Sequence, residues 1–141
     1  MATTTDDGHV LVVDDDPGIR ESVRFLLEDE GYTVEEAPDG VAGLSLLARS
    51  PEALIALVDY RMPRMDGQQL LDRVADDTKV LKRHAYVLFT ANRDLLSPKF
   101  NQLLAARHIP IIEKPFEIDT LLNVVAHAHE ELAESDQGNG A

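Results

Sequence analysis

The sequence predicts an α/β protein built on a doubly wound, five-stranded parallel sheet, and three observations predict it. Aliphatic runs alternate with amphipathic stretches five times along 141 residues, which is the pattern of successive βαβ units. The aliphatic runs are apolar nearly throughout, as strands covered on both faces must be. Their carboxyl ends carry polar or charged residues, which places chemistry along one rim of the sheet.

The first strand covers about 9–14, with Val10-Leu11-Val12-Val13 running into Asp14-Asp15-Asp16. Pro17 suits the first position of the helix that follows, with Asp16 as its cap. Ile19, Val23, Leu26 and Leu27 give that helix one apolar face, and Gly31 ends it. The second strand, about 32–36, half alternates as Tyr32-Thr33-Val34-Glu35-Glu36, which points to a sheet edge. A second helix starts near Asp39 and buries Leu44 and Leu47, despite Gly43 costing about 1 kcal/mol relative to Ala. The third strand, about 54–59, is Leu54-Ile55-Ala56-Leu57-Val58 closed by Asp59. Asp66-Gly67 opens the third helix, with Gln69 placed for a capping box. The fourth strand covers about 85–90 and ends in Thr90; Ser97-Pro98 starts a fourth helix that buries Phe100, Leu103 and Leu104. The fifth strand, about 109–113, runs into Glu113-Lys114-Pro115, and the last helix carries Ile118, Leu121, Leu122, Val125 and Leu132 at helical spacing.

One domain over 8–133 accounts for this pattern, with 1–7 and 134–141 expected as flexible tails. Thirteen basic residues against 26 acidic ones leave a net charge of −13, which repels nucleic-acid backbones and anionic lipid, so no direct nucleic-acid contact is expected. No apolar run approaches the roughly 20 residues of a membrane span, and the first residues lack the basic start and apolar stretch of a secretory leader. The expectation is a cytoplasmic protein without membrane insertion. With no cysteine, disulfides and thiolate metal sites are excluded.

In such a sheet ordered 2-1-3-4-5, ligands sit where strand order reverses, between the first and third strands. Those strands end in Asp14-Asp15 and Asp59, and the same edge collects Thr90 and Lys114. Carboxylates there are costly to desolvate unless a cation compensates them. An oxygen-only site with few carboxylates suits Mg²⁺. The set fits phosphoryl transfer to a carboxylate. Asp59, standing alone, is the candidate nucleophile; the adjacent Asp14 and Asp15 suit the metal. Thr90 and Lys114 are placed for phosphoryl oxygens. Asp16 and Asp66 read as helix caps, and the five histidines as structural or surface residues.

The segments Val12-Val13-Asp14-Asp15-Asp16-Pro17, Val58-Asp59 through Asp66-Gly67, Thr90-Ala91 and Lys114-Pro115-Phe116 together resemble the receiver domain of bacterial two-component response regulators. The resemblance implies a flavodoxin-like fold with Asp59 as phosphoacceptor. It further implies Mg²⁺ held by Asp14, Asp15, Asp59 and the backbone carbonyl of Arg61, with Thr90 and Lys114 on the phosphoryl group. A cis Lys114–Pro115 bond follows too. The implied partners are a sensor histidine kinase or phosphotransfer protein and an unknown downstream protein, with homodimerisation through the fourth helix, fifth strand and fifth helix. Such a module is a phosphorelay switch, not an enzyme acting on a separate substrate. Arg61 and Asn92 sit where the family tunes phosphoryl lifetime. Ile111 departs from the family, where an aromatic often stands three positions before the lysine; a β-branched side chain cannot present a ring. The segment from Ala106 to Pro110 also replaces the usual small turn, so output through this face is expected to run through Thr90 and its loop.

Three alternatives compete. A degenerate receiver would bind partners without phosphorylation. A Mg²⁺ phosphohydrolase could use Asp14-x-Asp16, but Gly18 stands where Thr or Val is expected. A flavin site would need a Gly- and hydroxyl-rich cradle where this chain has acids.

Overall fold

A computed structural model describes the backbone of residues 8–140 and the side chains of 8–134. The strands are β1 (His9–Val13), β2 (Thr33–Ala37), β3 (Leu54–Asp59), β4 (Ala85–Thr90) and β5 (Ile111–Glu113). All pair in parallel in the order β2-β1-β3-β4-β5, the doubly wound arrangement the sequence predicts, with half-alternating β2 at one edge. The helices are α1 (Pro17–Asp29), α2 (Gly40–Arg49), α3 (Gly67–Ala75), α4 (Thr78–Arg83), α5 (Pro98–Ala106) and α6 (Ile118–Gly140).

Alternate residues of each central strand feed two apolar cores. Leu11, Val13, Ala56, Val58 and Leu88 pack with α2, α3, α4 and α5, while Val10, Val12, Ile55, Leu57 and Phe89 pack with α1 and α6. Period-two alternation between two greasy faces explains why these strands read as unbroken apolar runs. Gly43 has its reason here: a Cβ at that position would lie 2.9 Å from both γ-methyl carbons of Val13, so its absence lets α2 press onto β1.

Three features differ from the sequence reading. Helix α4 was not anticipated; six residues carry too little periodicity, although Asp77 caps it and Val80 and Leu81 face the core. The helix opening at Ser97-Pro98 is therefore α5. Strand β5 is three residues long, not five, because Pro110 has no N–H and the Ile109 N–H is already bonded to Leu104 O at 2.8 Å. Ile118, placed on the apolar stripe of α6, is 52% exposed in its first turn. The backbone of α6 is helical to Gly140. The expectation for the tail at 1–7, and for side chains from 135 onward, lies outside the described residues.

Helices α1 and α5 end alike. Gly31 N–H reaches Glu28 O and Tyr32 N–H reaches Leu27 O; His108 N–H reaches Ala105 O and Ile109 N–H reaches Leu104 O. Both are Schellman closures requiring a left-handed residue. Gly31 adopts φ 100° freely, whereas exposed His108 adopts φ 57° with a Cβ in the way. His108→Gly is expected to stabilise the protein by about 0.5–1 kcal/mol, the relieved backbone strain exceeding the added freedom of the unfolded chain. Urea unfolding of the two proteins checks this; an unchanged midpoint would mean His108 is not strained.

Candidate functional site

The carboxyl edge of the sheet gathers the acids. β1 hands its pairing on to Asp14, whose N–H donates to Ala37 O at 3.1 Å. Asp59 ends β3 opposite Phe89, so Thr90 is the next residue along β4, and Lys114 N–H donates to Thr90 O at 2.8 Å as β5 ends. The Lys114–Pro115 peptide is cis, as expected.

The side chains converge on one ammonium. Lys114 Nζ stands 2.8 Å from Asp14 Oδ2 and 2.9 Å from Asp59 Oδ1. Asp14 Oδ1 accepts the Asp16 N–H at 2.9 Å. Asp14 and Asp59 are buried, Asp15 is exposed, and one carboxylate oxygen from each lies within 4.8 Å of the others. Three carboxylates and one ammonium leave two negative charges, matched to a divalent cation of oxygen-seeking character.

The electrostatics report the same imbalance. Burial pushes the Asp59 carboxyl above its ordinary 3.8; the Lys114 hydrogen bond pulls it back, while the Asp14 charge and then the Asp15 charge push it up further. Burial alone would lower Lys114, but hydrogen bonds and charge from Asp14 and Asp59 outweigh it and hold the ammonium above 10.5. The ring of Phe89, centred 5.9 Å from Nζ, floors the lysine and packs against Phe116.

The fold thus brings together four of the residues singled out from sequence: Asp14, Asp15, Asp59 and Lys114. Thr90 stands beside them, buried, its Oγ1 accepting the Asn92 N–H at 3.2 Å rather than touching the acids. Arg61 lies exposed, two residues past Asp59 in the loop to α3. Asp16 caps α1 through Gly18 and Ile19 N–H, and Asp66 with Gln69 closes a capping box. His84 is the one histidine buried among the described residues, bridging Leu54 N–H and Leu47 O.

The loop after Thr90 is tied to β5 by Arg93. Its N–H donates to Glu113 at 3.3 Å, its guanidinium donates to Ile111 O at 3.2 Å, and its Nε pairs with Glu113 at 3.4 Å. No local sequence signal marks these ties, because they link positions 20 and 18 residues apart.

The family model of the response regulator receiver domain matches residues 10–126. The response regulator MprA of Mycobacterium ulcerans is 40% identical over 117 residues, covering 80% of this chain and 46% of its own. An uncharacterised 14.6 kDa protein of Leptolyngbya boryana is 50% identical over 68 residues, 48% of this chain and 50% of that protein. The chain spans about half the length of the curated relatives it matches. Among solved structures, Vibrio cholerae chemotaxis protein CheY4 superposes with a TM-score of 0.72 at 29% identity, covering 86% of this chain and 98% of that one. The response regulator TrrA of Thermotoga maritima, solved with Mg²⁺-BeF, gives a TM-score of 0.73 at 25% identity, covering 86% and 98%. Among the described residues no helix is long and apolar enough to cross a membrane.

Proposed function

This chain belongs to the response regulator receiver domain family of two-component systems, and from that premise we propose that it is a Mg²⁺-dependent phosphorylation switch with Asp59 as acceptor. The donor is the phosphohistidine of a sensor kinase or phosphotransfer protein. The observation that carries the reading is the double negative charge left at one pocket after Lys114 is counted.

An Asp59 carboxylate oxygen attacks phosphorus; the new P–O bond forms as the P–N bond to the donor imidazole breaks, and the imidazole keeps the electron pair. Lys114, held protonated between Asp14 and Asp59, can follow the negative charge onto the phosphoryl oxygens without leaving the site. Mg²⁺ held by Asp14, Asp15, Asp59 and the Arg61 carbonyl would neutralise the carboxylates and the incoming group. Thr90 Oγ1 would give up its bond to the Asn92 N–H on reaching a phosphoryl oxygen. Movement of Thr90 would pull on the loop that Arg93 anchors to Glu113 and Ile111. That route needs no ring at position 111. Downstream, the changed face would bind or release a partner protein or a second copy; turnover of a separate substrate forms no part of the reading.

Beryllofluoride with Mg²⁺ tests it. The wild-type amide spectrum is expected to shift at the pocket and along residues 90–96 and β5, and Thr90→Ala to keep the pocket shifts while losing most of those at Arg93 and Ile111. No change in the wild type would favour a degenerate receiver that acts without phosphorylation, a reading to which Ile111 lends some support. Equal distal shifts in both proteins would rule out Thr90 as the transmitter.

A further inference from the structure

The edge strand β2 contributes nothing directly to the acidic pocket, yet it holds Asp14 from two directions. The Asp14 N–H is bound to Ala37 O. The Asp14 carbonyl accepts Arg20 Nη1 at 2.6 Å, and Arg20 Nε donates to Glu36 Oε1 at 3.0 Å. Glu36, the neighbour of Ala37, also takes Arg24 Nη1 on its second oxygen. The Arg20 and Glu36 side chains are 17% and 24% exposed, shielded enough for the fork geometry to persist.

We infer that Arg20, oriented by Glu36, is a positioning residue for the divalent-cation site: it fixes the Asp14 backbone so that this carboxylate stays aimed at Asp59 and Asp15. The inference rests on the cation-binding reading above. It makes a claim opposite in sign to simple electrostatics. A guanidinium beside a cation site repels the cation, so removing its charge should tighten Mg²⁺ binding if charge were all that mattered. Outer partners that orient metal ligands typically account for 10–100-fold in affinity. Orientation therefore outweighs repulsion, and removing Arg20 weakens binding.

Mg²⁺ titration followed by backbone amide shifts reads this directly. Arg20→Met and Glu36→Ala are each expected to weaken Mg²⁺ binding about tenfold, and the double variant little more than either, since the two act as one unit. Arg20→Lys, which can reach one partner but not both in a fork, is expected to fall between. Arg24→Met removes an equal charge from the same carboxylate without touching Asp14 and should change affinity less than threefold. In the metal-free protein, exchange of the Asp14 amide should quicken in Arg20→Met and not in Arg24→Met. If Arg20→Met fails to fold, Glu36→Gln supplies the comparison, with a smaller loss expected. A folded Arg20→Met that binds Mg²⁺ as well as or better than wild type overturns the inference, as does an equal loss in Arg24→Met. Absence of Mg²⁺ binding in the wild type removes the site reading itself, and the inference with it.

Discussion

Asp59→Asn is expected to take up no phosphoryl group from acetyl phosphate, while the wild type is labelled in a Mg²⁺-dependent reaction. A carboxamide oxygen lacks the negative charge that attacks phosphorus, and no other carboxylate in the pocket stands free of a competing role. Asp14 is bound on one oxygen by Lys114 and on the other by the Asp16 N–H. Asp15 is exposed beyond the strand end. The control for folding is built into the same variant. Burial holds the Asp59 carboxyl above 3.8, so between 3.8 and the folded value the native chain keeps a proton the unfolded chain has released. Metal-free stability therefore falls as pH rises through that interval. Asn carries no such cost, so the variant should be at least as stable as wild type at neutral pH without metal, and should gain less from added Mg²⁺. Radiolabel appearing on Asp59→Asn would move the acceptor to Asp14 or Asp15; a variant less stable than wild type would mean Asp59 is held mainly by its ion pair.

Lys114→Met carries the largest expected stability effect. Its ammonium is the common partner of two buried carboxylates, and deleting one member of a buried ionic cluster typically costs about 3 kcal/mol, because the remaining charges stay uncompensated. The lysine's own titration does not enter near neutrality: its folded value lies above 10.5, so its contribution is complete below 10.5 and disappears only as pH rises through the folded value. The pH dependence of the variant comes from the acids. Without the ammonium, nothing opposes the burial and the Asp14 charge that already hold the Asp59 carboxyl above its ordinary 3.8, so the deficit should grow as pH rises through the Asp59 titration and shrink at roughly pH 4, near the ordinary carboxylate range. Saturating Mg²⁺ should restore part of the loss by replacing the missing positive charge. Urea unfolding at both pH values, with and without the metal, reads all three effects. A deficit independent of pH and of Mg²⁺ would show that packing of the methylene stem over Phe89, not charge, is what the lysine supplies.

Much of this molecule could be read along the chain because its physics is local. An aliphatic run long enough for a strand, closed by a carboxylate, marks both a buried strand and a costly charge at its end, and Asp14 and Asp59 announce themselves that way. Caps are local too: Asp16 and Asp66 bond N–H groups two or three residues on. Among the histidines, His84 satisfies two backbone groups in the core, while His108 and His127 stand exposed. The misjudged elements were those where local signal is thin or competing bonds intervene, such as six-residue α4, and β5, shortened by Pro110 and a helix closure that claims Ile109.

What lay beyond the one-dimensional pattern is everything that depends on which strands become neighbours and in what register. Lys114 sits 100 positions from Asp14, and no periodicity foretells that one ammonium would be shared between Asp14 and Asp59 rather than left in solvent. The Arg20–Glu36 brace and the Arg93 tie to β5 belong to the same class. Each joins elements through side chains whose reach is a few ångströms, so each exists only after parallel pairing has put those elements side by side, and a one-residue slip would turn the partners to opposite faces.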